Sequence, residues 1–240
     1  LSIPMVESNN VWRLNNIQNL SKINDLSNYY YQFQITRHKK TIYALDPYAQ
    51  SMAVWDLSLV NDQDRSKSEH VGKAAFVNIS DSNEAFVNIQ NYKNQEDAII
   101  YEVHVRDFTS HPSIDKDLEY PYGTFDAFIE RLDYIETLGV THIQLLPIMS
   151  YYNIDESKRS NRSLDPTEFG IVTNYNWGYD PHSYFSISGM YSKHNDNAQS
   201  RLDEFKRLVC EIHKRNMGVV LDVVFNHTAR LHILEDLEPN

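Results

Sequence analysis

The sequence predicts an α/β fold: a parallel sheet of three strands and two helices after about residue 97, preceded by a β-rich region. Three observations carry this. Short apolar runs stand at 99–105, 140–146 and 219–225. Helical periodicity fills the two intervals between them. Polar residues gather where the runs end, at His104, Arg106 and Asp107, at Gln144, and at Asn226 and His227. Apolar strands joined by helices belong to a sheet covered on both faces. Polar groups at the C-terminal strand ends favour the first part of a (β/α)8 barrel over an open doubly wound sheet. The seven glycines form no G-x-G-x-x-G and no phosphate loop, which counts further against the open sheet.

Each element follows from its own residues. Tyr29, Tyr31, Phe33 and Ile35 alternate with Tyr30, Gln32, Gln34 and Thr36, a period of two that predicts a strand. Arg37–Lys40 breaks it and Thr41–Leu45 resumes, which predicts a hairpin closed by Asp46-Pro47. Asn61–Lys73 is polar and reads as a loop, Ala74–Ile79 as a short strand, and Asp81–Asn83 and Asn91–Asp97 as a linker. A boundary at residue 95 therefore separates a β region, 1–95, from the α/β region, 96–240. Beyond it, Thr124 is the expected N-cap of a helix whose apolar residues run from Phe125 to Leu138, with Gly139 after its end. Ile148–Asn197 reads as a long polar and aromatic loop. Leu202, Phe205, Leu208, Val209 and Ile212 mark a second amphipathic helix, closed by Gly218.

Composition bounds the function. The 240 residues carry 22 Lys+Arg against 33 Asp+Glu, a net charge of −11, and clustered cations for nucleic acid or an anionic membrane are lacking. No apolar run reaches the roughly 18–20 residues that span a bilayer. The lone Cys210 excludes an internal disulfide framework. Leu1, in place of Met, is expected to mark a chain that begins inside a longer gene product. There is no H-E-x-x-H and no G-x-S-x-G.

Two segments stand out. Tyr175-Asn176-Trp177-Gly178-Tyr179-Asp180-Pro181 sets three aromatics two apart in a loop. Flat faces there suit stacking against the C–H faces of sugar rings, or serve only to pin the loop. Asp222-Val223-Val224-Phe225-Asn226-His227-Thr228 places a carboxylate in an apolar strand, where it costs several kcal/mol unless paired. That marks either a site or a satisfied core group. His104–Asp107 reads as an ion pair locking a strand end, with a charged pair near the site as the alternative, and Asp115, Asp117 and Glu119 as a solvated loop, with calcium as the alternative.

Together these segments resemble the type I pullulanases of glycoside hydrolase family 13, the α-amylase clan. YNWGYDP is followed about forty residues later by DVVFNHT. AIIYEVHVRDFTS at 98–110, GTFDAFIERLDYIETLGVTHIQLLPIMSYY at 123–152 and the closing LEDLEPN are similar to streptococcal and related Gram-positive members. ALDPYA at 44–49 resembles the end of the β-sandwich starch-binding module that precedes the barrel in such enzymes. The resemblance implies a retaining hydrolase of α-1,6 linkages in pullulan, glycogen and starch dextrins. It implies that Tyr179 stacks under the glucose at the cleavage subsite and that His227 hydrogen-bonds that sugar. Trp177 and Asp180 would shape the sugar site, and Asp222 and Asn226 would support it. Asn226 falls where many α-amylases hold calcium; no cofactor is required.

The resemblance also implies limits. A retaining glycosidase needs two carboxylates about 5–5.5 Å apart. In this family they follow the fourth and fifth strands, so no nucleophile or acid/base is expected within residues 1–240. The remainder of the barrel is expected to be needed for folding, and the piece alone to be inactive. The partner class is branched α-glucan. A non-catalytic glucan-binding fragment, or the product of a split or decayed gene, is the alternative. A secreted or cell-surface setting is implied, with the cytoplasm as alternative.

Overall fold

The computed structural model describes residues 1–61, 64–80, 89–90, 94–160, 174–230 and 233. Several expectations lie outside these residues: the linker at 81–83 and 91–93, part of the long loop at 161–173, and the closing segment 234–240.

The N-terminal region is built of short antiparallel pairs. Strands β1 (Val6–Ser8) and β2 (Val11–Arg13) form an exposed hairpin. Its two turn residues, Asn9 and Asn10, have φ of 55° and 60°, the left-handed pair that twists in register with the strands. A one-turn helix, α1 (Ile17–Ser21), follows. The expected strand at 29–36 is divided at Gln32. Strand β3 (Tyr30–Tyr31) pairs with β6 (Ala74–Ala75), whereas β4 (Phe33–Arg37) pairs with β5 (Lys40–Ala44). The cause is the Gln32 side chain, whose Nε2 donates to the carbonyls of Ser68 (3.0 Å) and Val71 (2.6 Å). The expected hairpin at 37–40 is present, and the expected strand at 74–79 is only two residues long.

The parallel sheet consists of β7 (Ile100–Val103), β8 (His142–Leu145) and β11 (Gly218–Leu221), in the order β11-β8-β7. Its register sets Glu102 beside Gln144 and Gln144 beside Val220. Alternation then sorts the faces. Tyr101, Val103, Ile143, Leu145 and Val219 enter the hydrophobic core, while Ile100, Glu102, His142, Gln144 and Val220 lie on the opposite face. Gln144 Nε2 donates to Glu102 Oε2 (2.7 Å) across that second face. The expected third strand extended to Phe225; ladder pairing ends at Leu221, with one further bond from the Asp222 amide to the Leu145 carbonyl (3.0 Å). Leu221, Val223 and Phe225 remain 41%, 45% and 64% exposed, so among the described residues no neighbouring element covers that flank of the sheet.

Between β7 and β8 lie two short helices, α2 (Asp107–Ser110) and α3 (Pro112–Asp115), then α4 (Phe125–Ile129) and α5 (Leu132–Thr137). Thr124 caps α4 as expected, its Oγ1 accepting from the Ala127 amide (3.2 Å). The expected single helix is broken at Glu130–Arg131, where the Glu130 carboxylate accepts from the amides of Glu119 (3.0 Å) and Tyr120 (2.9 Å). Gly139 has φ +71°, and a Cβ there would meet nothing, so its conformation alone calls for glycine.

The expected loop at 148–197 is a correction of substance. It contains β9 (Met149–Tyr151) and β10 (Pro181–Ile187), an antiparallel pair with two register shifts. Tyr151, Ile154, Met190 and Tyr191 from this stretch are core residues. Helix α6 (Ala198–Lys214) begins earlier than the apolar spacing indicated, because Asn197 accepts from the amides of Gln199 and Ser200. It is ended by Asn216, at φ 58°, and not by Gly218. Gly218 is instead a strand residue whose missing side chain makes room for His142, 2.3 Å from where a Cβ would stand.

One core runs through the described residues, and Met52 and Trp55 from the N-terminal region pack into it with Phe125, Leu145 and Leu208. At its centre Arg201 Nη2 meets Glu156 Oε2 at 2.8 Å, with exposures of 0% and 1%. Glu156 also accepts from the amides of Trp55 (2.9 Å) and Gly189 (2.7 Å). Nearby, His182 stacks on Trp55 with ring centroids 3.9 Å apart. Burial drives the His182 pKa down to about 3, with Arg201 adding to the effect. Its folded value lies below the unfolded 6.5, so the unfolded chain binds the extra proton between pH 6.5 and about 3. Stability is expected to be fully present above 6.5 and to fall as pH drops through that window. Melting temperatures from pH 7.5 to 4.5 should show a shallower slope for His182→Phe; an unchanged slope would refute the assignment.

Candidate functional site

The two sequence segments meet at the C-terminal ends of the parallel strands. Tyr179 donates its phenol O–H to Asp222 Oδ2 at 2.5 Å. His227 Nε2 lies 2.7 Å from the Tyr179 backbone oxygen, and Asn226 Nδ2 lies 3.1 Å from His227 Nδ1. A carbonyl only accepts, so Nε2 carries the ring proton, and Nδ1 is left to accept from the Asn226 amide. Four of the expected residues thus form one connected unit. Burial raises the Tyr179 pKa to about 12, with the hydrogen bond and charge of Asp222 contributing next. The phenol is a neutral donor at any physiological pH.

Trp177 and Tyr179 line an open hollow of about 710 Å³, together with Glu102, His104, Asp107 and Leu146. Trp177 is 57% exposed, and its indole N–H donates to the Tyr175 hydroxyl. Asp180 is not among the lining residues. Its Oδ2 accepts from Asn153 Nδ2 (2.5 Å), its carbonyl accepts from the Tyr152 amide (2.8 Å), and burial raises its pKa. Asp180 therefore fastens the loop to the turn after β9.

The loop between Asn174 and Tyr179 is held from beneath. His104 Nε2 lies 3.1 Å from the Asn176 carbonyl, and its Nδ1 accepts from the Asp107 amide (3.2 Å). Burial lowers the His104 pKa, consistent with a neutral ring. The buried Arg106 donates through Nη1 to the Asn174 carbonyl (2.9 Å). The expected charge pairing at this strand end is present as a 3.6 Å approach of His104 Nδ1 to Asp107 Oδ1, and two bonds to loop carbonyls stand beside it. Gly178 donates its amide to Asn176 Oδ1 (2.8 Å) and rests on Pro147 at φ +92°.

Sequence reasoning missed Glu102 as a lining residue. The signal was present in the two-residue alternation of β7, which sets Glu102 opposite to Val103. Among the described residues no group of three or more His, Cys, Asp or Glu is arranged to hold a metal ion. Asn226 meets His227 through Nδ2 and keeps its Oδ1 clear of that bond, but no cluster of carboxylates among the described residues completes an oxygen donor set with it, so no chemistry is derived through calcium.

The comparisons with known proteins decide the lineage. The family model described as the α-amylase catalytic domain matches residues 61–236. The chain belongs to the α-amylase family. Within that family, glycoside hydrolase family 13, its likeness is to the type I pullulanases. It is 54% identical over 221 residues to pullulanase A of Streptococcus pneumoniae, covering 91% of this chain and 17% of that protein. The crystal structure of the Group B Streptococcus pullulanase SAP superposes with a TM-score of 0.88 at 47% identity, over 98% of this chain and 30% of that one. The same pullulanase in complex with maltotetraose gives 0.85 at 46% identity, over 99% of this chain and 30% of that one. The chain thus spans about a sixth of the curated α-amylase-family relative it matches. No helix among the described residues is long and apolar enough to cross a membrane.

Proposed function

We infer that this chain carries the glucose-gripping part of a debranching hydrolase that cleaves α-1,6 linkages in pullulan, glycogen and starch dextrins. Residues 1–95 would serve as a starch-binding β module, and 96–240 as the first three strands of the barrel. In this reading Tyr179 stacks under a glucose ring, Trp177 offers a second aromatic face, and His227 donates to a hydroxyl by exchanging its bond to the Tyr179 carbonyl. The nucleophile and acid/base carboxylates would come from strand ends outside residues 1–240. No cofactor is needed, and a secreted or cell-surface setting belongs to the same reading.

The observation that supports it most is the Tyr179–Asp222–His227 unit, in which Tyr179 lines the hollow while Asp222 and His227, outside its lining, hold that residue in place. Asp222 fixes the phenol, the imidazole fixes the backbone of the same residue, and the ring is left at the edge of an open concavity. Tyr179→Ala in the full-length protein is expected to weaken maltotetraose binding at least tenfold, the loss of about 1.4 kcal/mol or more. Calorimetric titration would check it. Unaltered affinity would refute the assignment, while binding by the wild type without release of maltotriose from pullulan would favour the non-catalytic alternative.

A further inference from the structure

His104 and Arg106 follow the first parallel strand, and neither is accounted for by the sugar-contacting roles above. Both are buried and both reach across to the same loop. They take two of its carbonyls, Asn176 by His104 and Asn174 by Arg106, two residues apart. Between and beyond those carbonyls the side chains of Tyr175, Trp177 and Tyr179 stand out, each still exposed.

The surroundings fix the two side chains in turn. His104 Nδ1 is occupied by the Asp107 amide, so Nε2–H is the nitrogen left to donate. Tyr191 packs against the imidazole edge-on with centroids 5.9 Å apart, and its hydroxyl reaches the Pro147 carbonyl (3.3 Å). Arg106 is wedged against Gly123, where a Cβ would come within 2.7 Å of its Cγ, and its guanidinium lies 5.9 Å from the Tyr122 ring centre. Gly178 closes onto Pro147 from above. Pro147 is thus a fulcrum with the loop on one side and the His104–Tyr191 pair on the other.

We propose that His104 and Arg106 are positioning residues for the sugar site, setting the height and tilt at which Trp177 and Tyr179 meet the ligand. The inference rests on the glucan reading for its ligand but not for its geometry. A merely structural role would make any loss of the hydrogen bond appear as lower stability. A positioning role makes it appear in the site, because small misplacements of binding groups are amplified in the reaction rate.

The test uses the full-length protein with His104→Ala, His104→Gln and Arg106→Lys. Gln retains a neutral donor at the required end of the side chain, whereas Ala has none. His104→Ala is expected to lower kcat/KM on pullulan about tenfold or more with its melting temperature close to that of His104→Gln, and His104→Gln to recover most of the rate. Arg106→Lys keeps the charge but not the fixed fork, and is expected to fall between the two. Chymotrypsin supplies a readout independent of substrate: cleavage after Tyr175, Trp177 and Tyr179, followed by mass spectrometry, should accelerate in His104→Ala and not in His104→Gln. Equal rates and equal cleavage in all variants would overturn the proposal, as would a parallel loss of rate and melting temperature in both His104 variants. Inactivity of the wild type on any α-glucan, with the cleavage pattern still as expected, would instead count against the glucan reading.

Discussion

Arg201→Met is expected to cost roughly 3–5 kcal/mol of folding stability, the effect of leaving one member of a buried ion pair without the other. Arg201 is fully buried in α6, and Glu156, 2.8 Å away, is nearly so. The loss is expected to be large because Glu156 is a junction. It receives the Trp55 amide from the N-terminal region, the Gly189 amide from the segment after β10, and the guanidinium from α6. Removing the cation strands a carboxylate among three elements that all depend on it. The double replacement Arg201→Met with Glu156→Gln should recover a substantial part of the loss, since no uncompensated charge then remains buried. Urea denaturation of the single and double variants would measure both. A single-variant loss below about 1 kcal/mol would show that water reaches the pair and screens it.

Gly178→Ala is the change expected to damage the candidate site most without unfolding the protein. Its φ of +92° disfavours any side chain, and a Cβ would come within 2.7 Å of the Pro147 carbonyl oxygen. That neighbour is backbone in a buried segment and has little freedom to withdraw. The loop must therefore rise, and Trp177 and Tyr179 rise with it. A shift of about 1 Å is enough to reduce catalysis on the order of 100-fold, while the folding cost should stay at about 1–3 kcal/mol because the strain is local. Pullulan kinetics alongside thermal melting would separate the two. Less than a threefold change in kcat/KM would mean that the loop is not the part that grips the sugar.

The parts of this fold legible from sequence are those whose cause is local. Strands β7, β8 and β11 follow from apolar runs, and α4 and its cap from Thr124. Interruptions with distant causes were not legible. Gln32 splits a well-alternating strand because Ser68 and Val71 offer it carbonyls, and Glu130 ends α4 because the Glu119 and Tyr120 amides approach it. The β9–β10 pair was hidden because its register shifts twice, so its side chains keep no steady period. At the site, residue types left YNWGYDP and DVVFNHT undecided and the family resemblance joined them; in the structure Tyr179, Asp222, Asn226 and His227 are neighbours. Asp180 sits apart from the hollow, fastened to Asn153, and nothing in the spacing distinguishes that from a role toward ligand. His104 and Arg106 were half legible: His104 does approach Asp107, but both also reach carbonyls about seventy residues away, which no local pattern announces.

The imidazole of His227 already has both nitrogens occupied, one by its neighbour's amide and one by main chain. Any incoming hydroxyl that wants the Nε2 proton has to evict the Tyr179 carbonyl, trading one hydrogen bond for another of much the same strength. Such an exchange adds little to tightness. On the proposed glucan reading it would reward guests whose shape lets the evicted oxygen find a fresh donor, so that the ring would screen fit while the aromatic faces supplied adhesion.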